Sequence, residues 1–135
     1  MTLVDTNVLI DLLKADPGWL PWSGPAFQHA RAAGPMAINV VIYAELSAHP
    51  YFPAKLDNFL SDLGLSMQHL TKEAGRAAAI AFMQYRQRNG NKTGVLPDFF
   101  IGAQAATENW TLLTRDSNRY RTYFPRLQLL APWPS

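Results

Sequence analysis

Residues 1–16, MTLVDTNVLIDLLKAD, decide the fold. Thr2 to Val4 is a short apolar run that stops at Asp5, and beyond it Val8, Leu9, Leu12 and Leu13 fall on one face of a helix. A strand, an acid and a helix follow one another directly. That order opens a β-α unit and sets a carboxylate at the carboxyl end of its strand.

The pattern repeats along the chain. MAIN (36–39) is a buried-strand candidate, and Asn39 can cap a helix through VVIYAELSA (40–48) until Pro50 interrupts it. PAKLDNFLSDLG (53–64) has Pro53 at the start of a helix and Gly64 at its stop, and LSMQHL (65–70) alternates as a half-buried strand does. Thr71 opens the longest helical segment, EAGRAAAIAFMQYRQRN (73–89), whose alanine-rich face allows close packing and whose end is marked by Gly90. Gly90 to Gly94 is a polar loop. Pro97 and Asp98 begin a helix through FFIGAQAATEN (99–109); WTLLTRD (110–116) then reads as a buried strand ending at Asp116, and LQLLAP (127–132) as a last one. From Asp16 to Pro35 the Pro and Gly residues, with Trp19 and Trp22, predict a loop and then a short helix around Pro25 to Ala33. The Trp-rich stretch Gly18 to Gly24 reads as an edge insertion.

Alternating strands and helices imply an α/β fold, three layers in an α/β/α sandwich around a mainly parallel sheet. With 135 residues, 48% of them hydrophobic and 16% charged, the expectation is one globular domain over 1–135 with no disordered linker. The absence of cysteine excludes disulfides, thiolate zinc sites and cysteine nucleophiles, and it fits a reducing, cytoplasmic location. The first residues carry Asp5 and no basic leader, so they do not read as a signal peptide, and no apolar run is long enough to span a bilayer. No membrane partner is expected.

Two acids follow predicted strands in this reading, Asp5 after TLV and Asp116 after TLLT; Asp98 stands in the first turn of a helix, and Glu45 lies about one and a half turns into another. In open parallel sheets loops and helix N-termini converge beyond the carboxyl ends of the strands, so all four can meet at one edge. Hard divalent cations such as Mg²⁺ and Mn²⁺ prefer carboxylate oxygens and can activate water for attack on a phosphate. Singly, each acid has an ordinary explanation: Asp5 as a helix N-cap, Asp98 as a partner of the helix dipole, Asp116 as a turn residue, Glu45 as a solvated helix position. Glu45 stands out because Val40, Val41, Ile42, Tyr43, Ala44 and Leu46 surround it in sequence, and a charge buried there needs a partner.

LVDTNVLIDLL, NVVIYAELSA, LPDFFIGAQA and LLTRD together resemble, in order, the four acidic motifs of PIN-domain proteins, and the DTN beginning and TRD ending are most similar to the VapC-type ribonuclease toxins of type II toxin-antitoxin pairs. The likeness spans nearly the whole chain. It implies a Mg²⁺- or Mn²⁺-dependent endoribonuclease, often dimeric and restrained by a cognate antitoxin protein. It further implies that Asp5, Glu45, Asp98 and Asp116 bind metal and carry catalysis, with Asn7 and Thr114 as hydrogen-bonding support. Cleavage by a metal-activated water would leave a 5′-phosphate and a 3′-hydroxyl on the RNA. Phe99 and Phe100 depart from the smaller or aliphatic residues usual after the third acid.

The formal charge of +2 is mild, and its distribution says more than its size. Arg115, Arg119, Arg121 and Arg126 cluster with Tyr120, Tyr123 and Phe124, which suits phosphate contact with base stacking, and equally a solvated basic edge. Lys92, Arg115, Arg119 and Arg121 are the candidate RNA contacts. His29, His49 and His69 lack the spacing of a helical metal pair and are assigned no chemistry; no G-x-S-x-G turn or glycine-rich phosphate loop is present. The competing readings are a catalytically silent PIN-fold module whose acidic pocket takes a basic peptide, and a structure-specific DNase.

Overall fold

In the computed structural model, which describes residues 1–51, 54–92 and 94–132, five three-residue strands form one sheet. They are β1 (Thr2–Val4), β2 (Met36–Ile38), β3 (Leu65–Met67), β4 (Thr111–Leu113) and β5 (Gln128–Leu130). Their order is β3-β2-β1-β4-β5, and every neighbouring pair is parallel. Parallel neighbours need a crossover between them, and the helices supply it: α1 (Thr6–Lys14), α2 (Leu20–Ala33), α3 (Val40–Ala48), α4 (Leu56–Asp62), α5 (Lys72–Gln87), α6 (Leu96–Glu108) and α7 (Asn118–Tyr123). The expected α/β/α class with a parallel sheet is the observed one.

Helices on both faces explain why the inner strands read as unbroken apolar runs. Leu3, Val4, Ala37, Leu112 and Leu113 are wholly buried, whereas the edge strands β3 and β5 stay partly open. Helix α6 is the most enclosed helix, with Phe99, Ile101, Ala103, Gln104 and Ala105 all at 0% exposure. Its buried Gln104 amide is satisfied on both sides, accepting from Asn39 Nδ2 at 2.8 Å and donating to the His69 carbonyl at 2.9 Å. The alanine face of α5 (Ala74, Ala78, Ala81) lies against it, as the composition of that segment implies.

The caps form where the sequence places them. Asp5, Asn39 and Thr71 each accept a hydrogen bond from a first-turn N–H of α1, α3 and α5. Gly64 closes the turn after α4 at φ +78°, a conformation that favours glycine. Pro53 lies outside the described residues.

Several local expectations fail, each for a visible reason. The loop is shorter than expected: Gly18 and Trp19 lie in a turn, but α2 begins at Leu20 and not near Pro25, with Pro21 in its first turn and Pro25 inside it. A proline in that place forfeits a backbone bond; burial of Ser23, Ala26 and Phe27 in the domain overrides the local preference. The strand expected to end at Asp116 ends at Leu113, so Asp116 belongs to the following loop. The segment SNRYRTY, read only as a basic aromatic edge, contains α7, whose Tyr120 and the following Phe124 bury one apolar stripe at i, i+4 spacing.

That stripe rests on Gly102 of α6. A Cβ there would stand 2.6 Å from Phe124 Cε2 and 2.9 Å from Tyr120 Cδ1. Because both rings are buried, Gly102→Ala is expected to lower the unfolding free energy by about 1–3 kcal/mol, the usual cost of overpacking, and denaturant titration measures it. An unchanged midpoint would mean that α7 is loosely seated.

Candidate active site

The strand order reverses between β1 and β4, and ligands of open α/β sheets bind at such a switch point, outside the carboxyl ends of the strands. Asp5 is the first residue beyond β1, and Thr114, Arg115 and Asp116 are the first beyond β4. Asp98 enters from the first turn of α6 and Glu45 from the second turn of α3. All four acids line one cleft of about 350 Å³, together with Thr6, Asn7, Lys14, His49, Arg115 and Tyr120.

Asp5 is the most constrained of them, at 4% exposure. Its Oδ1 accepts from the Thr6 N–H at 2.8 Å, and its Oδ2 from the Thr114 hydroxyl at 2.8 Å and the Tyr120 hydroxyl at 3.0 Å. The structural role as N-cap and the place in the cleft therefore belong to one carboxylate. Thr114 in turn accepts from the Asp116 N–H at 3.1 Å, while Asn7 Nδ2 reaches Thr114 at 3.4 Å and Asn7 Oδ1 accepts from the Arg115 N–H at 3.3 Å. These bonds lash the start of α1 to the β4–α7 loop.

The other acids are held more lightly. Glu45, expected to be a buried charge, is half-buried and accepts from the Thr6 hydroxyl at 2.7 Å. Asp98 is half-buried and paired with Arg119, while Asp116 is exposed. Burial pushes the Asp5 carboxyl up to about 7, with the charge of Asp98 adding to the shift and the three donors opposing it. Burial likewise raises Asp98; Glu45 and Asp116 add to that rise, and Arg119 works against it. The Tyr120 hydroxyl is raised well above its ordinary range by burial and by the neighbouring carboxylates, so it stays a donor to Asp5.

The basic candidates separate. Arg119 lies against Asp98, as an internal counterion and not on a rim. Arg115 lines the cleft, Arg121 is exposed on α7, and Lys92 sits in a different hollow beside Phe82, Tyr85 and Arg86. Phe99 is wholly buried in an aromatic cluster with Phe82, Tyr85 and Tyr123, so its bulk serves the core joining α5, α6 and α7. The sequence reading missed Tyr120 and Thr6 as partners of the acids. For Tyr120 the i, i+4 pair with Phe124 was the available signal; for Thr6 none was, since its partner stands 39 residues away.

Among the described residues no three His, Cys, Asp or Glu groups stand in a metal-holding arrangement. Asp98 is paired with Arg119, Glu45 accepts from Thr6, and Asp5 accepts from Thr6, Thr114 and Tyr120. The donor chemistry still fits a hard divalent cation, all four acidic side chains of the cleft being carboxylates.

The family model of the PIN domain matches residues 2–125. This chain belongs to the PIN-domain family. Solved structures of like fold include VapBC2 from Rickettsia felis bound to a DNA fragment from their promoter, at TM-score 0.73 and 19% identity, covering 97% of this chain and 98% of that one. A toxin-antitoxin complex from Klebsiella pneumoniae aligns at 0.66 and 19%, over 98% of each chain. VapBC-1 from nontypeable Haemophilus influenzae aligns at 0.68 and 14%, over 96% of each. At such identities the likeness is one of PIN fold. No curated protein matches the chain in sequence.

The elevated Asp5 sets a pH dependence for this PIN domain in the absence of metal. The ordinary value is 3.8 and the folded value about 7, so between them the folded chain keeps a proton that the unfolded chain has released. Stability therefore falls as pH rises through that window. At about 1.4 kcal/mol per unit the loss is of the order of 4 kcal/mol at most. Urea unfolding in EDTA at pH 4.5 and 7.5 is expected to show the fall, and Asp5→Asn to flatten it; equal slopes in both proteins would contradict the assignment.

Proposed function

We propose that residues 1–135 form one PIN-like nuclease domain, a cytoplasmic Mg²⁺- or Mn²⁺-dependent endoribonuclease that acts as the toxin of a toxin-antitoxin pair. The convergence of Asp5, Glu45, Asp98 and Asp116 on one cleft at the switch point of a PIN fold carries the proposal. Among the described residues no helix is long and apolar enough to cross a membrane, which is compatible with it. The toxin-antitoxin complexes of like fold support a cognate antitoxin as partner, and a homodimer is proposed on the family resemblance.

In this reading Asp5, Glu45, Asp98 and Asp116 would hold the cation, and Arg119 is the counterion of Asp98 without it. A divalent cation there lowers the pKa of water and neutralises charge developing on the phosphate. The chain's own groups do the rest. Thr114, Tyr120 and the Thr6 N–H orient Asp5; Thr6 bonds Glu45; Asp116 or Asp98 would orient the attacking water. Attack on a phosphodiester then leaves a 5′-phosphate and a 3′-hydroxyl. One observation favours a second reading, a silent module that takes a basic peptide: the Arg119–Asp98 pair shows that the acids accept a guanidinium.

Purified protein freed of any partner is expected to cut total RNA in Mg²⁺ or Mn²⁺ and not in EDTA. Asp5→Asn or Asp98→Asn should reduce this by roughly a hundredfold or more, as loss of a central catalytic group does. Asp98→Asn should also keep a native circular dichroism spectrum while abolishing growth arrest on expression. Products ending in a 2′,3′-cyclic phosphate would overturn the water-attack chemistry. Inert wild type would move the silent module ahead, and preferential cutting of flap DNA the DNase.

A further inference from the structure

Outside the four acids, the only fully buried carboxylate among the described residues is Asp11, on the second turn of α1, at 0% exposure. Its Oδ2 accepts from the Ser23 hydroxyl at 2.6 Å and is ion-paired with Arg115 Nε at 3.3 Å; Oδ1 and Arg115 Nε are both buried without a hydrogen bond. An ionised carboxylate in such a place is costly unless a cation answers it. Arg115 is that cation. Its guanidinium also lies over the Trp19 ring, 4.8 Å from the centroid, and Trp19 is itself braced edge-on by Trp22. Asp16 Oδ1 shapes the turn beneath by accepting from the N–H groups of Gly18 and Trp19. The Trp-rich segment is thus a socket for one arginine.

Arg115 lines the acidic cleft, whereas Asp11 and Trp19 do not. Its side chain is 28% exposed although Nε is buried. A flexible cation beside four acids collapses onto one of them, as Arg119 does onto Asp98. Arg115 is instead paired with Asp11 at Nε and set over the Trp19 ring, while its side chain still lines the cleft. A planar edge with paired N–H donors matches the oxygens of a phosphodiester.

We propose that Arg115 is a fixed phosphate-binding residue for the RNA strand beside the cleavage point, and that Asp11, with Trp19, is the positioning residue that keeps it from the cleft acids. The proposal rests on the nuclease reading for its substrate, and its test is separable from cleavage. Binding of a fluorescein-labelled single-stranded RNA is followed by anisotropy in EDTA, where no cutting occurs, over a range of salt. Arg115→Ala is expected to weaken binding about tenfold and to lower the salt slope by about one phosphate contact. Arg115→Lys should restore the slope but only part of the affinity.

Asp11→Asn should weaken binding severalfold in the wild-type background and have no effect in Arg115→Ala, because it acts through that residue. A general structural role for Asp11 would weaken both backgrounds alike and overturn the positioning claim. Should Asp11→Asn fold poorly, Trp19→Leu makes the same double-mutant comparison. Wild-type affinity and slope in Arg115→Ala would overturn the phosphate site. Loss of cleavage in Mg²⁺ by wild type, with Arg115-dependent binding intact, would instead count against the nuclease reading alone.

Discussion

One buried carboxylate organises this end of the molecule. Asp5 leaves β1 into a place with almost no solvent, and a charge there persists only if donors surround it. The donors come from three directions: the first turn of α1, the loop after β4 and the body of α7. Each also fixes something else. The Thr6 N–H bond starts α1, Thr114 ties the loop that carries Asp116, and Tyr120 seats α7 against Gly102 of α6. The short, fully buried central strands supply the rigid frame on which these bonds can be made.

Gathering four acids at one edge leaves an excess of negative charge that the fold must balance. Two devices serve this, the Arg119 counterion on Asp98 and the Tyr120 hydroxyl that stays neutral and donates to Asp5, while burial raises the Asp5 carboxyl to about 7. Arg119 is part-exposed, whereas Tyr120 is buried and also seats α7. Arg115 is treated differently. Its charge is answered from behind by Asp11, so two arginines four residues apart serve opposite ends, one neutralising the acids and one held apart from them.

The legibility of these features follows from how local their causes are. Strand-helix alternation, the caps at Asp5, Asn39 and Thr71, and the parallel sheet were readable because each rests on neighbours in sequence. The four acids were readable as a set because they stand just beyond strands or near helix starts, and the parallel topology collects those positions at one edge. The part of α2 ahead of Pro25 was not readable, since tertiary burial of Ser23 and Phe27 outweighs the backbone bond that Pro25 forfeits. Nor was α7, whose arginines mask a two-residue apolar stripe.

The sequence by itself determined the α/β class, the place of Asp5, Glu45 and Asp98 on their elements, and membership of the family whose motifs it carries. Only the tertiary structure decided which charges meet. Asp11 with Arg115, Arg119 with Asp98, Thr6 with Glu45 and Tyr120 with Asp5 are pairs that chain spacing does not announce. The physical reason is that secondary structure arises from contacts a few residues apart, whereas electrostatic partnership depends on distance and burial in the folded molecule.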